Sequence, residues 1–229
     1  KYRRICEQLE LKPGQHVLEI GCGWGGFAEI AARDFGCRVT GVTLSQEQLT
    51  FAQDRISRLG LSDQVDLRLQ DYRDISEKFD AIASIEMFEA VGAEHWQTYF
   101  AKLKSTLKPG GRAALQVITI RERDFDSYLK SVDFIQKYVF PGGMLPTNQH
   151  LLDLGEQHGL SPVDTHLFGK DYAETLRRWF EEYTREWKSI EPMGFDLRFD
   201  RIWRFYLAYC EAGFETDRID VGQFTFKNA

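Results

Sequence analysis

Glycines at positions 21, 23, 25 and 26 crowd the stretch Gly21-Cys22-Gly23-Trp24-Gly25-Gly26, which follows the acid Glu19 by two residues. This spacing suits binding rather than bond-making. Missing Cβ atoms let a ligand lie against the backbone, and the unpaired N–H groups that open a following helix favour an anionic or polar head. Taken literally, Gly21-x-Gly23-x-x-Gly26 matches the dinucleotide fingerprint, which also needs an acid after the second strand to hold a ribose hydroxyl. The chain has Gly41-Val42-Thr43 there, without an acid. Its carboxylate precedes the turn instead, at Glu19, where it either orders the turn or contacts the ligand.

The elements around this turn alternate. Val17 to Ile20 is an apolar run that reads as a buried strand, and Phe27, Ile30, Ala31 and Phe35 recur at helical spacing behind the glycines. Before the strand, Tyr2, Ile5, Cys6 and Leu9 predict a helix turned by Lys12-Pro13-Gly14. A second strand runs over 38–42, and Ser45 is placed to cap a helix over 46–59. Strands are expected at 65–69 and 79–85. A helix over 96–107 is stopped by Lys108-Pro109-Gly110-Gly111, and a fifth strand follows over 113–120. Strand and helix in alternation imply right-handed βαβ units and a parallel sheet covered on both faces.

Beyond Ile120 the composition shifts: 20 of the 31 aromatic residues lie there, so this half is either an aromatic core or the wall of an apolar pocket. A helix over 171–188 is predicted to carry Tyr172, Leu176, Trp179, Phe180, Tyr183 and Trp187 on one stripe. Another helix is expected over 196–214. A last strand over 222–226 alternates as a half-buried or edge strand would.

At 229 residues the chain is long enough for one α/β domain with a substantial core. A net charge of −6 argues against nonspecific attraction to nucleic acid. The four cysteines, Cys6, Cys22, Cys37 and Cys210, have neither CxxC nor disulfide-framework spacing, so a reducing cytosol is expected. No run of 18 apolar residues exists to span a bilayer. The chain opens inside an amphipathic run without an initiator methionine, and reads as an N-terminally truncated fragment.

Glu19-x-Gly21-x-Gly23-x-Gly25, with Lys-Pro-Gly-Gly ahead of a fifth strand, resembles the class I S-adenosylmethionine-dependent methyltransferases. The implied fold is α/β and Rossmann-like: a seven-stranded, mostly parallel sheet with helices on both faces and an antiparallel last strand. One domain over 1–229 is expected, with a cofactor-binding half over 1–120 and substrate-binding insertion helices and closing strands over 121–229. Five motifs in order narrow the likeness: 18–26, Gly41-Val42-Thr43-Leu44-Ser45, Gln70-Asp71-Tyr72-Arg73-Asp74, Met87-Phe88-Glu89-Ala90-Val91-Gly92 and Phe140-Pro141-Gly142-Gly143-Met144-Leu145-Pro146. Together they resemble the cyclopropane-fatty-acyl-phospholipid synthase family, which includes the mycolic acid cyclopropane synthases.

That resemblance implies transfer of a methyl group from S-adenosylmethionine to the cis double bond of an unsaturated phospholipid acyl chain. Gly21, Gly23 and Trp24 match the family's methionine-side contacts, Thr43 and Gln48 its ribose region, and Gln70 and Asp71 its adenine region. Ile85 matches a position lining the methionine end, and Tyr72 is placed to stack on adenine. The family holds a bicarbonate ion as base, using a glutamate, a histidine, a tyrosine and backbone groups. Glu89 falls on the glutamate, Tyr172 on the tyrosine and Ile118 on a backbone contact. Gln116 stands in place of the histidine. Glutamine donates and accepts hydrogen bonds but carries no proton near neutral pH, so the product is left open between a cyclopropane ring and a methylene- or methyl-branched chain.

The expected partner is therefore an unsaturated phospholipid at a membrane surface, reached by a cytoplasmic, peripherally bound enzyme. Arg177, Arg178, Arg185 and Lys188 are candidates for headgroup contact or else a solvated helix face. No nucleic acid and no metal are expected, and a homodimer is left open. Two rivals stand beside this reading: a small-molecule amine N-methyltransferase of the same family, and a module that senses S-adenosylmethionine or lipid without catalysis.

Overall fold

The computed structural model describes residues 1–229. Seven strands form one sheet: β1 His16–Ile20, β2 Arg38–Thr43, β3 Val65–Leu69, β4 Phe79–Ile85, β5 Leu107–Ile120, β6 Leu160–Leu167 and β7 Ile219–Asn228. Their order is β3-β2-β1-β4-β5-β7-β6, and the register is parallel from β3 through to β5, with β7 antiparallel. The order reverses direction between β1 and β4. Ligands of open α/β sheets bind at such a switch point, outside the carboxyl ends of the strands.

Nine α-helices accompany the sheet: α1 Tyr2–Gln8, α2 Gly26–Phe35, α3 Gln46–Arg58, α4 Trp96–Thr106, α5 Glu122–Leu129, α6 Phe134–Tyr138, α7 Asn148–Gln157, α8 Gly169–Ile190 and α9 Leu197–Glu215. Two compact units emerge. The first comprises Lys1–Val117, His150–His166 and Gln223–Ala229, and the second Ile118–Gln149 and Leu167–Gly222. Two later segments, His150–His166 and Gln223–Ala229, thus return to the first unit. In that unit Ile5, Phe27 and Ala31 from the helices pack with Val17, Val39 and Ala81 from the strands. In the second, α8 and α9 enclose Leu176, Tyr183, Leu207 and Phe214.

Ser45 caps α3 as its sequence position predicts: its hydroxyl accepts the N–H of Gln48 at 3.2 Å. Replacing it with alanine leaves that donor without its partner. Ser45→Ala is expected to lower stability by about 1 kcal/mol, read as a reduced urea midpoint with an unchanged slope.

Three strand readings need correction. The Lys-Pro-Gly-Gly turn does not precede β5; it lies inside it. Phe79 pairs with Leu107 and Ala81 with Arg112, so the residues between loop out as a bulge and pairing resumes. The last strand is longer than 222–226 and is no edge, because β7 lies between β5 and β6 with both faces buried. The edge on that side of the sheet is β6, where Pro162 sits and only Leu160 is buried. Trp179 also leaves the expected stripe on α8, being 56% exposed.

Candidate active site

The glycine turn is fastened on both sides. Gly21 and Cys22 donate their N–H groups to the carbonyl of Val42, at 3.0 and 2.9 Å, which hooks the end of β1 onto β2. Packing demands three of its glycines. A Cβ on Gly21 would lie 2.9 Å from Met87 Cγ, on Gly25 3.1 Å from Ala52 Cβ, and on Gly26 2.9 Å from the Tyr2 ring. Gly23 is different: at φ +49° its missing Cβ faces no atom within 4 Å. Here the cradle is open.

Behind it, Gly25 is the N-cap of α2 and supplies no side-chain cap. The Ala28 N–H of its first turn donates to Glu19, which is only 3% exposed, and burial holds that carboxyl well above the usual carboxylate range. One carboxylate oxygen thus holds the first turn of α2, while Oε2 is buried without a hydrogen-bond partner. Cys22 is likewise a spacer: a Cβ on Gly41 would come within 2.9 Å of Cys22 Cβ, so these two residues fit only as a small pair.

Burial pushes the thiols of Cys6, Cys22 and Cys210 up to about 12 and that of Cys37 up to about 11. Only about one thiol in a thousand or fewer is then ionised at pH 8. Native protein is expected to resist alkylation by iodoacetamide at that pH, with no mass added until denaturant is present. None of the four cysteines has the character of a nucleophile.

Along the strand ends, Thr43 closes β2 and its hydroxyl donates to Gln48 Oε1 at 3.1 Å, while accepting the Ser45 N–H. The two residues expected at a ribose are therefore side by side. Trp24 leaves 53% of its surface open and meets Phe51 edge-on at 5.2 Å. After β3, the Gln70 N–H donates to the Thr43 carbonyl. Asp71 caps the short 3-10 turn of Tyr72–Asp74 through the Arg73 N–H, and its carboxylate pairs with the Arg73 guanidinium at 2.7 Å. Tyr72 packs edge-on against buried Tyr99, 5.4 Å between centroids. Gln70, Asp71 and Tyr72 thus form one shaped turn beside Thr43.

The expected reacting centre begins where β4 ends. Ile85 pairs in register with Gln116 of β5. Phe88 is buried and its ring packs against Trp96, Tyr99 and Phe100, anchoring the 3-10 turn of Phe88–Ala90. Half-buried Glu89 follows directly on that anchor. Gln116 is fully buried, and its amide donates to Glu86 Oε1 at 2.6 Å and accepts from Gln223 Nε2 at 3.0 Å. Arg4 in turn reaches Gln223 and Asp164, at 3.0 and 2.8 Å.

Glu86 alters the setting for the anion that the resemblance implies. The ion carries one O–H for a carboxylate to accept, and the resemblance already sets Glu89 against it. Glu86 adds a second carboxylate, hydrogen-bonded to the glutamine that should hold the anion. Glu86 and Gln223 were invisible as site residues in the sequence. The only signal was an acid directly after Ile85, the register partner of Gln116.

Ile118 and Tyr172 belong to the second unit, both packed on its apolar cluster. The Tyr172 ring meets Phe168 and Phe214 edge-on, at 5.6 and 5.5 Å. Of the basic residues on α8, Arg177 pairs with Glu174, Glu211 and Glu215, Arg178 with Glu174, and Arg185 with Glu182 and Glu186. That is the pattern of a solvated helix face. No group of His, Cys, Asp and Glu residues is arranged to hold a metal ion.

The family model described as mycolic acid cyclopropane synthetase matches residues 1–224. Tuberculostearic acid methyltransferase UfaA1 of Mycobacterium tuberculosis is 42% identical over 98% of this chain and 53% of its own length. Cyclopropane-fatty-acyl-phospholipid synthase of Escherichia coli K12 is 40% identical over 99% of the chain and 56% of its own. The solved structure of mycolic acid cyclopropane synthase CmaA1, complexed with SAH and CTAB, superposes with a TM-score of 0.91 at 26% identity, covering 99% of this chain and 82% of that one. The chain spans about half the length of the curated relatives it matches. By sequence and by fold, it belongs to the mycolic acid cyclopropane synthetase family.

Proposed function

We propose that the protein transfers a methyl group from S-adenosylmethionine to the cis double bond of an unsaturated phospholipid acyl chain, leaving a cyclopropane or a methylene- or methyl-branched chain. The observation that carries the cofactor is the glycine turn, open at Gly23 alone among its glycines. The acceptor rests on the two relatives above, whose names specify a tuberculostearic acid methyltransferase and a cyclopropane-fatty-acyl-phospholipid synthase.

S-Adenosylmethionine supplies an electrophilic methyl on a sulfonium. Gly21, Gly23 and Trp24 would hold its methionine end beside Ile85, Thr43 and Gln48 the ribose, and Gln70, Asp71 and Tyr72 the adenine. An alkene is a poor nucleophile, so the protein must align it, exclude water and stabilise the positive charge that develops on the acyl chain. Glu89 is the carboxylate proposed for that stabilisation. On the sequence pattern, Tyr172 and Ile118 would line the reacting centre.

No helix is long and apolar enough to cross a membrane. The proposed enzyme works from the cytoplasm and meets its substrate as a peripheral protein, with the aromatic second unit supplying apolar surface for the acyl chain. To test the function, full-length protein is incubated with methyl-labelled S-adenosylmethionine and phospholipid vesicles. Label is expected in the lipid when the acyl chains are monounsaturated and not when they are saturated. Equal labelling of both, or of neither, contradicts the proposal.

A further inference from the structure

Glu86 occupies an unusual place in the chain. It follows the last residue of β4, and its backbone stands at φ +53°, a left-handed conformation that disfavours residues with a Cβ. Its neighbours hold it there. The Glu86 N–H donates to the Gln116 carbonyl at 2.8 Å, and the buried Gln116 amide donates to Glu86 Oε1 at 2.6 Å. Lys1 Nζ lies 3.4 Å from the same oxygen, yet 31% of the Glu86 side-chain surface remains open. Met87, the next residue, packs against Gly21 of the cradle. Strain held by specific bonds is a pattern of functional sites.

We infer that Glu86 is a built-in carboxylate base that takes the place of the small anion in this enzyme, with Gln116 as the residue that positions it. This rests on the methyl-transfer reading above. The alkene π pair forms the new C–C bond to the methyl carbon, and the C–S pair stays on sulfur. The acyl carbocation then gives one proton to Glu86. The C–H pair left behind closes a ring or forms a double bond, and the protonated Glu86 returns its proton to solvent. The pairing with Glu86 also gives Gln116 a purpose. An amide cannot carry the proton, but it can orient the carboxylate that does.

Two readouts test this on the full-length protein. With 13C-labelled bicarbonate, the carbon resonance is expected to stay sharp with wild-type protein and to broaden with Glu86→Gly, which also relieves the left-handed strain. In the vesicle assay, wild-type turnover is expected to be the same in carbonate-depleted and bicarbonate-supplemented buffer. Glu86→Gln is expected to fall by about a hundredfold or more, with calorimetric affinity for S-adenosylmethionine within about threefold. Glu86→Gly is expected to recover rate on addition of bicarbonate or formate. Wild-type turnover that requires bicarbonate overturns the inference, as does full activity in Glu86→Gln. So does loss of cofactor affinity in step with rate, which would make Glu86 a cofactor ligand. If wild-type protein methylates no lipid, the proposed function fails, while the resonance comparison still decides whether Glu86 excludes the anion.

Discussion

Replacing Glu89 with glutamine is expected to lower lipid methylation by about two to four orders of magnitude, the range for loss of one group that stabilises or relays charge in a transition state. Binding of S-adenosylmethionine should stay within about threefold of wild type, because no reading of the cofactor cradle uses Glu89. The substitution keeps shape and polarity and removes only the charge. The turn that carries it is anchored by Phe88 against three aromatic rings, so the fold has an independent hold on the segment. Single-turnover rates beside calorimetric affinity separate the two effects. Unchanged turnover would place the reacting centre elsewhere on the strand ends.

Gly23→Val is expected to abolish detectable cofactor binding, weakening it by more than about a hundredfold. The missing Cβ of Gly23 points into open space beside the turn, the volume assigned to the ligand, and a β-branched side chain would fill it. Valine at φ +49° also costs on the order of 1–2 kcal/mol in the backbone. Gly60→Val separates the two effects. Gly60 lies just beyond α3 at φ +68°, again with nothing near its missing Cβ, and carries the backbone cost without the cradle. Both variants should lose comparable stability in urea, and only Gly23→Val should lose the ligand. Equal loss of affinity in both would mean that backbone strain, not occlusion, empties the site.

The first half of the fold was legible because its signals are local. β4 is an apolar run with a polar residue at each flank, and Ser45 is a capping residue directly ahead of a periodic helix; both were read to the residue. Where the sequence misled, tertiary context reversed a local cue. Lys-Pro-Gly-Gly is a turn in isolation, but β4 continues past it and β5 resumes pairing beyond a bulge. Gln223 and Thr225 made β7 alternate like an exposed strand, yet both are buried, and Gln223 donates to Gln116. β6 was not seen at all, since an edge strand with one buried residue and a proline carries almost no pattern.

The candidate site divides the same way. The glycines, Thr43 with Gln48, and Glu89 after β4 could be named from motifs. That Gly23 alone opens outward, while Gly21, Gly25 and Gly26 serve packing, needed coordinates. So did the role of Gln116. From the chain it was a substitution that cast doubt on proton removal. In the fold it is one partner of a hydrogen-bonded pair whose other member, Glu86, lies thirty residues away in sequence.

Mass spectrometry of the phospholipids of cells expressing the full-length protein, beside cells expressing Glu89→Gln, tests the central claim most directly. Wild-type expression should add one CH2 to monounsaturated acyl chains, with fragmentation placing the added carbon at the former double bond, and the variant should add none. Unaltered acyl chains in both, with labelled methyl recovered on a small amine, would contradict it.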